Sequence, residues 1–184
     1  MPEEFESNSG KEILWEQRRQ EVEKIVDRLG KKIEGEIKEA VAAFRVSDFP
    51  TDGSCEGHIR REGEKKHGLP YPWVDICAPA PEGWQESKEK QMEWKKENLV
   101  LQQRMEELLS DFYRERETSD ETRLGFKHHR PYGNFRLQSS GAETFESEIK
   151  KGNVPFEEQQ QKLDVFRKEM NDLAEFLKQK YFAE

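Results

Sequence analysis

Cys55, Glu56 and His58 place a thiol, a carboxylate and an imidazole within four residues. That trio has the makings of a catalytic set. A thiolate nucleophile needs a neighbouring base or a positive field, which His58 would supply. Glu56 and His58 are the candidate acid/base groups. On a regular strand, Cys55 and His58 would point to opposite faces. Gly53 and Gly57 are the residues able to bend that geometry. Together with Cys77 and the His128-His129 pair, the same residues also count as metal donors. Closed zinc sites are usually built from CxxC or HxxxH pairs, and here each ligand type comes singly. The expectation is therefore no metal and no cofactor.

A second group is defined by charge. Residues 121–138 carry Arg123, Lys127, Arg130 and Arg136 against the single carboxylate Glu121. Asp75 and Glu56 sit in the stretch 49–84, beside Trp73. Carboxylates on one hairpin and guanidiniums on another suit an anionic or zwitterionic small molecule held between them. The candidate ligand-binding residues are Trp73, Asp75, Arg123, Lys127 and Arg136. Direct pairing of Glu56 and Asp75 with Arg123 or Arg136 is the structural version of the same arrangement. The competing partners for the basic hairpin are helix carboxylates such as Glu106, Glu107 and Glu115.

The elements that must position these residues follow from periodicity. Apolar residues from Leu14 to Phe44 fall at steps of three and four, which predicts a first helix over 11–46. Residues 54–59 and 73–77 read as two antiparallel strands joined by a charged loop over 60–71. Pairing Ile59 with Trp73 is the trial register; it sets Gly57 opposite Asp75 and Cys55 opposite Cys77. Cys55, Trp73 and Asp75 then share one face, while Ser54, Glu56, His58, Val74 and Ile76 share the other. A second helix is expected over 84–117. Residues 122–129 and 134–139 form a hairpin around Arg130-Pro131-Tyr132-Gly133. Pairing His129 with Asn134 places Leu124, Phe126, His128, Phe135 and Leu137 on one face. A short helix over 142–150 follows. Pro155 opens a last helix with a near-heptad stripe at Phe156, Leu163, Phe166, Met170, Leu173 and Leu177. The fold class is α+β: long helices packed on a small, mainly antiparallel sheet of two hairpins, in the order α-β-β-α-β-β-α. Residues 1–9 read as a flexible tail and 10–184 as a single domain.

Composition narrows the function classes. Charged residues make up 38% of the 184, against 33% hydrophobic, so much helical surface must face water. The net charge of −8 opposes sequence-independent nucleic-acid binding, which needs a positive field. No apolar run approaches the ~20 residues of a membrane span. An acidic N-terminus without an apolar stretch and only two cysteines fit a cytoplasmic protein with reduced thiols. No Gly-rich phosphate loop, GxSxG or HExxH occurs. Two readings remain. One is a small-molecule site, enzymatic or not, between the hairpins. The other is a non-catalytic interaction module, or a homodimer, formed through the long amphipathic helices.

Overall fold

The computed structural model describes residues 3–26, 31–59, 68–128 and 131–183. Most of the loop expected over 60–71, the turn residues 129–130 with His129, and residues 1–2 of the expected tail lie outside the described residues. The described elements are helices α1 (Glu3–Lys24), α2 (Lys38–Val46), α3 (Lys88–Phe112), α4 (Ala142–Lys150) and α5 (Phe156–Ala183). Strands β1 (Thr51–Cys55), β2 (Trp73–Ile76), β3 (Leu124–His128) and β4 (Phe135–Ser139) form one antiparallel sheet in the order β1-β2-β4-β3. The fold is thus α+β, with two hairpins joined through β2 and β4. Among the described residues, no helix is long and apolar enough to cross a membrane.

The single helix expected over 11–46 is two. α1 ends at Lys24, Val26 and Lys32 make an isolated antiparallel bridge, and a short 3-10 turn at Gly35–Ile37 leads into α2. The reason lies in burial. Ala40, Val41, Ala42, Ala43 and Phe44 are all at most 1% exposed, so the middle of α2 is covered on every side. α1 has only a stripe to bury, including Trp15 and Val22. A helix buried all round cannot continue straight from one that lies on the surface. The chain breaks, and α2 turns inward against α5, α1 and β1. At its other end α1 begins at Glu3, inside the stretch expected as a tail.

The second hairpin takes the register that its alternation dictates: Phe126 opposes Leu137, Lys127 opposes Arg136 and His128 opposes Phe135. Leu124, Phe135 and Leu137, with Val74 and Ile76 of β2, fill the main core against Met105, Met170, Leu173 and Leu177. From Leu163 onward the expected α5 stripe is the buried one, while Phe156 at its start is half-buried. The opposite sheet face carries Trp73, Asp75, Arg136 and Lys127, as the registers require. A smaller cluster beside it joins Tyr71, Ala142, Phe145 and Phe166.

The first hairpin differs from the trial register. β1 begins at Thr51 and ends at Cys55; Cys55 opposes Trp73, Ser54 opposes Val74 and Gly53 opposes Asp75. Gly57, Ile59, Glu56 and His58 lie beyond the strand. The offset is four residues, an even number, so Cys55, Trp73 and Asp75 keep the shared face that the alternation assigned them. A bulge between Thr51 and Gly53 absorbs the start of the strand.

Polar contacts fix the second half of the chain around this sheet. Asn98, fully buried in α3, accepts from the Ala78 N–H at 2.8 Å and donates to the carbonyls of Trp94 and Tyr132. It ties together the connector after β2, α3 itself and the turn of the second hairpin. At the far end of α3, the Tyr113 hydroxyl donates to buried Glu169 at 2.8 Å and accepts from the Leu124 N–H at 2.8 Å. Arg116 bridges Glu169 and Asp172 of α5.

Candidate functional site

At the end of β1 the chain leaves the strand and turns on Gly57, whose φ of +84° lies in the left-handed region. Arg167 of α5 clamps the turn, donating from Nε to the Glu56 carbonyl at 2.8 Å and from Nη2 to the Gly57 carbonyl at 2.9 Å. The His58 N–H donates to the Leu69 carbonyl at 2.8 Å. This turn swings His58 to the side of Cys55, which a straight strand would have prevented. Gly68, also at positive φ, packs so closely that a Cβ there would lie 2.5 Å from His58 Cδ2 and 3.3 Å from Cys55 Sγ.

The third member comes from far away in sequence. Glu34 Oε2 accepts from the Glu56 N–H at 2.8 Å, and its Oε1 lies 2.6 Å from His58 Nε2. One donor atom each from Glu34, Cys55 and His58 falls within 4.8 Å of the others. Cys55 is buried, whereas the side chains of His58 and Glu34 are 31% and 35% exposed. The cluster is therefore closed on the protein side and open on the solvent side. Glu56 is not part of it: its carboxylate accepts from the Glu36 N–H at 3.0 Å and lies 3.7 Å from Arg167.

Burial pushes the Cys55 thiol up to about 11, with the Glu34 charge adding to the effect and the Gly57 and Leu69 N–H groups partly offsetting it. The fold thus favours the protonated thiol, the reverse of what an activated nucleophile requires. Because the folded value is raised, this group's contribution to stability falls as pH rises from its ordinary value of 9.0 towards about 11. At pH 8 the thiolate fraction is about 10⁻³. Alkylation of Cys55 by iodoacetamide at pH 8, measured on a Cys77→Ala background, is accordingly expected to be slow in the native chain and rapid after unfolding. A native rate equal to that of a free thiol would contradict the environment described.

The residues assigned to ligand binding separate into three places. Asp75 and Arg136 pair directly: Arg136 Nε donates to Oδ1 at 2.7 Å and Nη2 to Oδ2 at 3.0 Å. The guanidinium carbon lies 3.6 Å from the centroid of the Trp73 ring, so Trp73, Arg136 and Asp75 form one stack. Lys127 pairs with Glu143 of α4. Arg123, one residue before β3, lies over the Tyr113 ring at 4.6 Å. The pairing of Asp75 with Arg136 is as expected. Glu56 reaches Arg167 instead of Arg123 or Arg136, because Arg167 lies beside the turn into which Glu56 has moved. Among the described residues, Glu106 and Glu107 accept from Gln102 and Gln103 of their own helix, and the hairpin cation Lys127 pairs with Glu143 instead.

A groove of about 420 Å³ runs between residues 31–34 and the first hairpin. Lys31, Lys32, Glu34, Asp52, Ser54 and Trp73 are among the residues that line it. Glu34 belongs to both the groove and the Cys55–His58 cluster. A cleft of similar size, about 440 Å³, lies at the end of α2. Its Arg104 is committed to structure: it donates to the Ser47 and Asp48 carbonyls and stacks on Phe49 at 4.8 Å. Neither Glu34 nor the lysines could be singled out from spacing, since they fall within the expected first helix.

Comparison of the chain with protein-family models, curated proteins and solved structures found no match.

Proposed function

We propose that the chain binds an anionic or zwitterionic small molecule in the groove beside the first hairpin. The supporting observation is the groove itself, which brings the Trp73 ring together with lysines and carboxylates in a volume within the ~300–1,000 Å³ of small-molecule sites. Trp73 offers an apolar surface, held in place from behind by Arg136. Lys31 and Lys32 suit a carboxylate or phosphate, and Glu34 and Asp52 suit an amine. The Asp75–Arg136 pair supports the ring and does not contact the ligand in this reading. Arg123 and Lys127 lie apart from the groove.

A thermal-shift screen of amino acids, carboxylates and phosphates tests this. A ligand at 100 times its Kd stabilises by about 2.7 kcal/mol, a rise in Tm of roughly 5–10 °C for a chain of this length. The shift should shrink markedly in Lys32→Glu and Trp73→Ala. If no compound moves the parent's Tm, the groove reading fails. The interaction reading would then stand better, because Met92, Leu99 and Val100 leave an apolar strip of α3 about half exposed.

A further inference from the structure

We propose that Glu34, Cys55 and His58 form a binding site for a divalent transition metal of the zinc type. The site shares Glu34 with the groove but does not rest on the groove's small-molecule reading. It rests first on the donor set. A thiolate, an imidazole and a carboxylate are the three side-chain types that zinc accepts, and each is present once. The donor atoms converge within 4.8 Å from three separate pieces of backbone: the segment before α2, the end of β1, and the turn after it.

Distances decide how much must move. Zinc–sulfur and zinc–nitrogen bonds of about 2.3 and 2.0–2.1 Å put tetrahedral ligand atoms roughly 3.3–3.6 Å apart. The Glu34–His58 hydrogen bond of 2.6 Å must therefore open by several tenths of an ångström, and both groups must close on Cys55 Sγ from within the present 4.8 Å. Both of these side chains are partly exposed, so the adjustment falls on them. The buried sulfur is the fixed point.

The surroundings hold the donors as metal ligands are commonly held, through contacts made by their other atoms. The second oxygen of Glu34 is fixed by the Glu56 N–H. Cys55 Sγ accepts the Gly57 N–H at 3.4 Å. Gly68 leaves no Cβ where the imidazole and the sulfur approach. A simple Glu34–His58 ion pair would not need a sulfur converging on the same point. Charge also balances: thiolate and carboxylate neutralise a divalent cation, and the thiol proton passes to solvent on binding. Three protein donors leave a fourth position for water or a ligand atom, on the side where Glu34 meets the groove.

The experiment uses the full chain, stripped with a chelator and titrated with Zn²⁺ against a chromophoric competitor, and in parallel with Co²⁺. The expected result is one equivalent of either metal. Cobalt should show a thiolate-to-metal charge-transfer band and the visible bands of a four-coordinate ion. Cys55→Ser should remove the charge-transfer band, and His58→Ala should weaken zinc by roughly 100-fold or more, beyond what loss of an outer-shell partner does. Cys77→Ser should change nothing. If Cys55→Ser does not fold by circular dichroism, Glu34→Gln carries the test, since that side chain is over a third solvent-exposed with its hydrogen bond preserved in kind. Absence of a cobalt band in the parent would overturn the proposal. So would a charge-transfer band that survives in Cys55→Ser, or zinc affinity unchanged in both Glu34→Gln and His58→Ala.

Discussion

Arg136→Ala is expected to lower the stability of the folded chain by about 3–5 kcal/mol, and no added carboxylate, phosphate or amino acid should close the gap to the identically treated parent. Asp75 is 4% exposed, and the guanidinium supplies it with two charge-assisted hydrogen bonds. Truncating Arg136 leaves that carboxylate in a low-dielectric face without its bidentate partner, and the desolvation already incurred is no longer offset. The same truncation strips Trp73 of the cation stacked on it. Lysine at 136 should recover only part of the loss, because a point charge cannot reproduce the fork geometry. Removing both charges, as Asp75→Asn with Arg136→Ala, should cost less than Arg136→Ala alone. Urea unfolding of the four proteins measures this. An Arg136→Ala chain within about 1 kcal/mol of the parent would mean that the pair behaves as a surface contact.

The Asp75–Arg136 pair was legible because charge segregates in the sequence: carboxylates on the first hairpin, cations on the second. A half-buried sheet face can hold neither set alone. The register of the second hairpin is legible in the sequence, since Leu124, Phe126, Phe135 and Leu137 alternate strictly and Gly133 supplies a positive φ at the turn, while its strands are shorter than the expected 122–129 and 134–139. The first hairpin offered no such alternation. Thr51, Asp52, Gly53 and Ser54 have no apolar member, and β1 is defined by its hydrogen bonds to β2 and by α2 packed against it. Nothing in these residues sets its register, and the facing of Cys55, Trp73 and Asp75 agrees with the alternation because the offset is even.

Glu34 was invisible for a different reason. Its partners Glu56 and His58 lie 22 and 24 residues away, and an uninterrupted helix would have left it on a solvated face. The clue to the break was the run Ala40 to Phe44. Five successive small or apolar residues cannot be one stripe of an amphipathic helix; they are a helix buried all round. Arg167 was missed likewise, as one of many cations on a long charged helix. Only the three-dimensional turn at Gly57 shows which of them reaches back to the first hairpin.

Gly57→Ala should be among the most damaging single substitutions in the chain, and it tests whether that turn assembles the cluster. Two effects combine. A φ of +84° is a conformation in which an alanine is strained by about 1–2 kcal/mol. The added Cβ would also lie 2.6 Å from Leu163 Cδ1, 2.7 Å from the Tyr71 carbonyl carbon and 3.0 Å from the Pro72 nitrogen. The leucine can shift, but the backbone of residues 71–72 is anchored next to β2 and cannot do so cheaply. Overpacking of this kind adds about 1–3 kcal/mol. The total expected loss is about 3 kcal/mol or more, with the Cys55 and His58 side chains driven apart. Gly57→Asn separates the two effects. Asparagine tolerates left-handed backbone better than alanine, so if φ were the whole problem it would recover most of the stability. Here it should recover little, because its Cβ meets the same carbonyl. The readouts are urea unfolding for stability and alkylation of Cys55 for the turn. A displaced turn should expose the thiol and speed its native-state reaction in both variants. Full stability in Gly57→Asn would show that the close approach to Tyr71 and Pro72 does not constrain the turn.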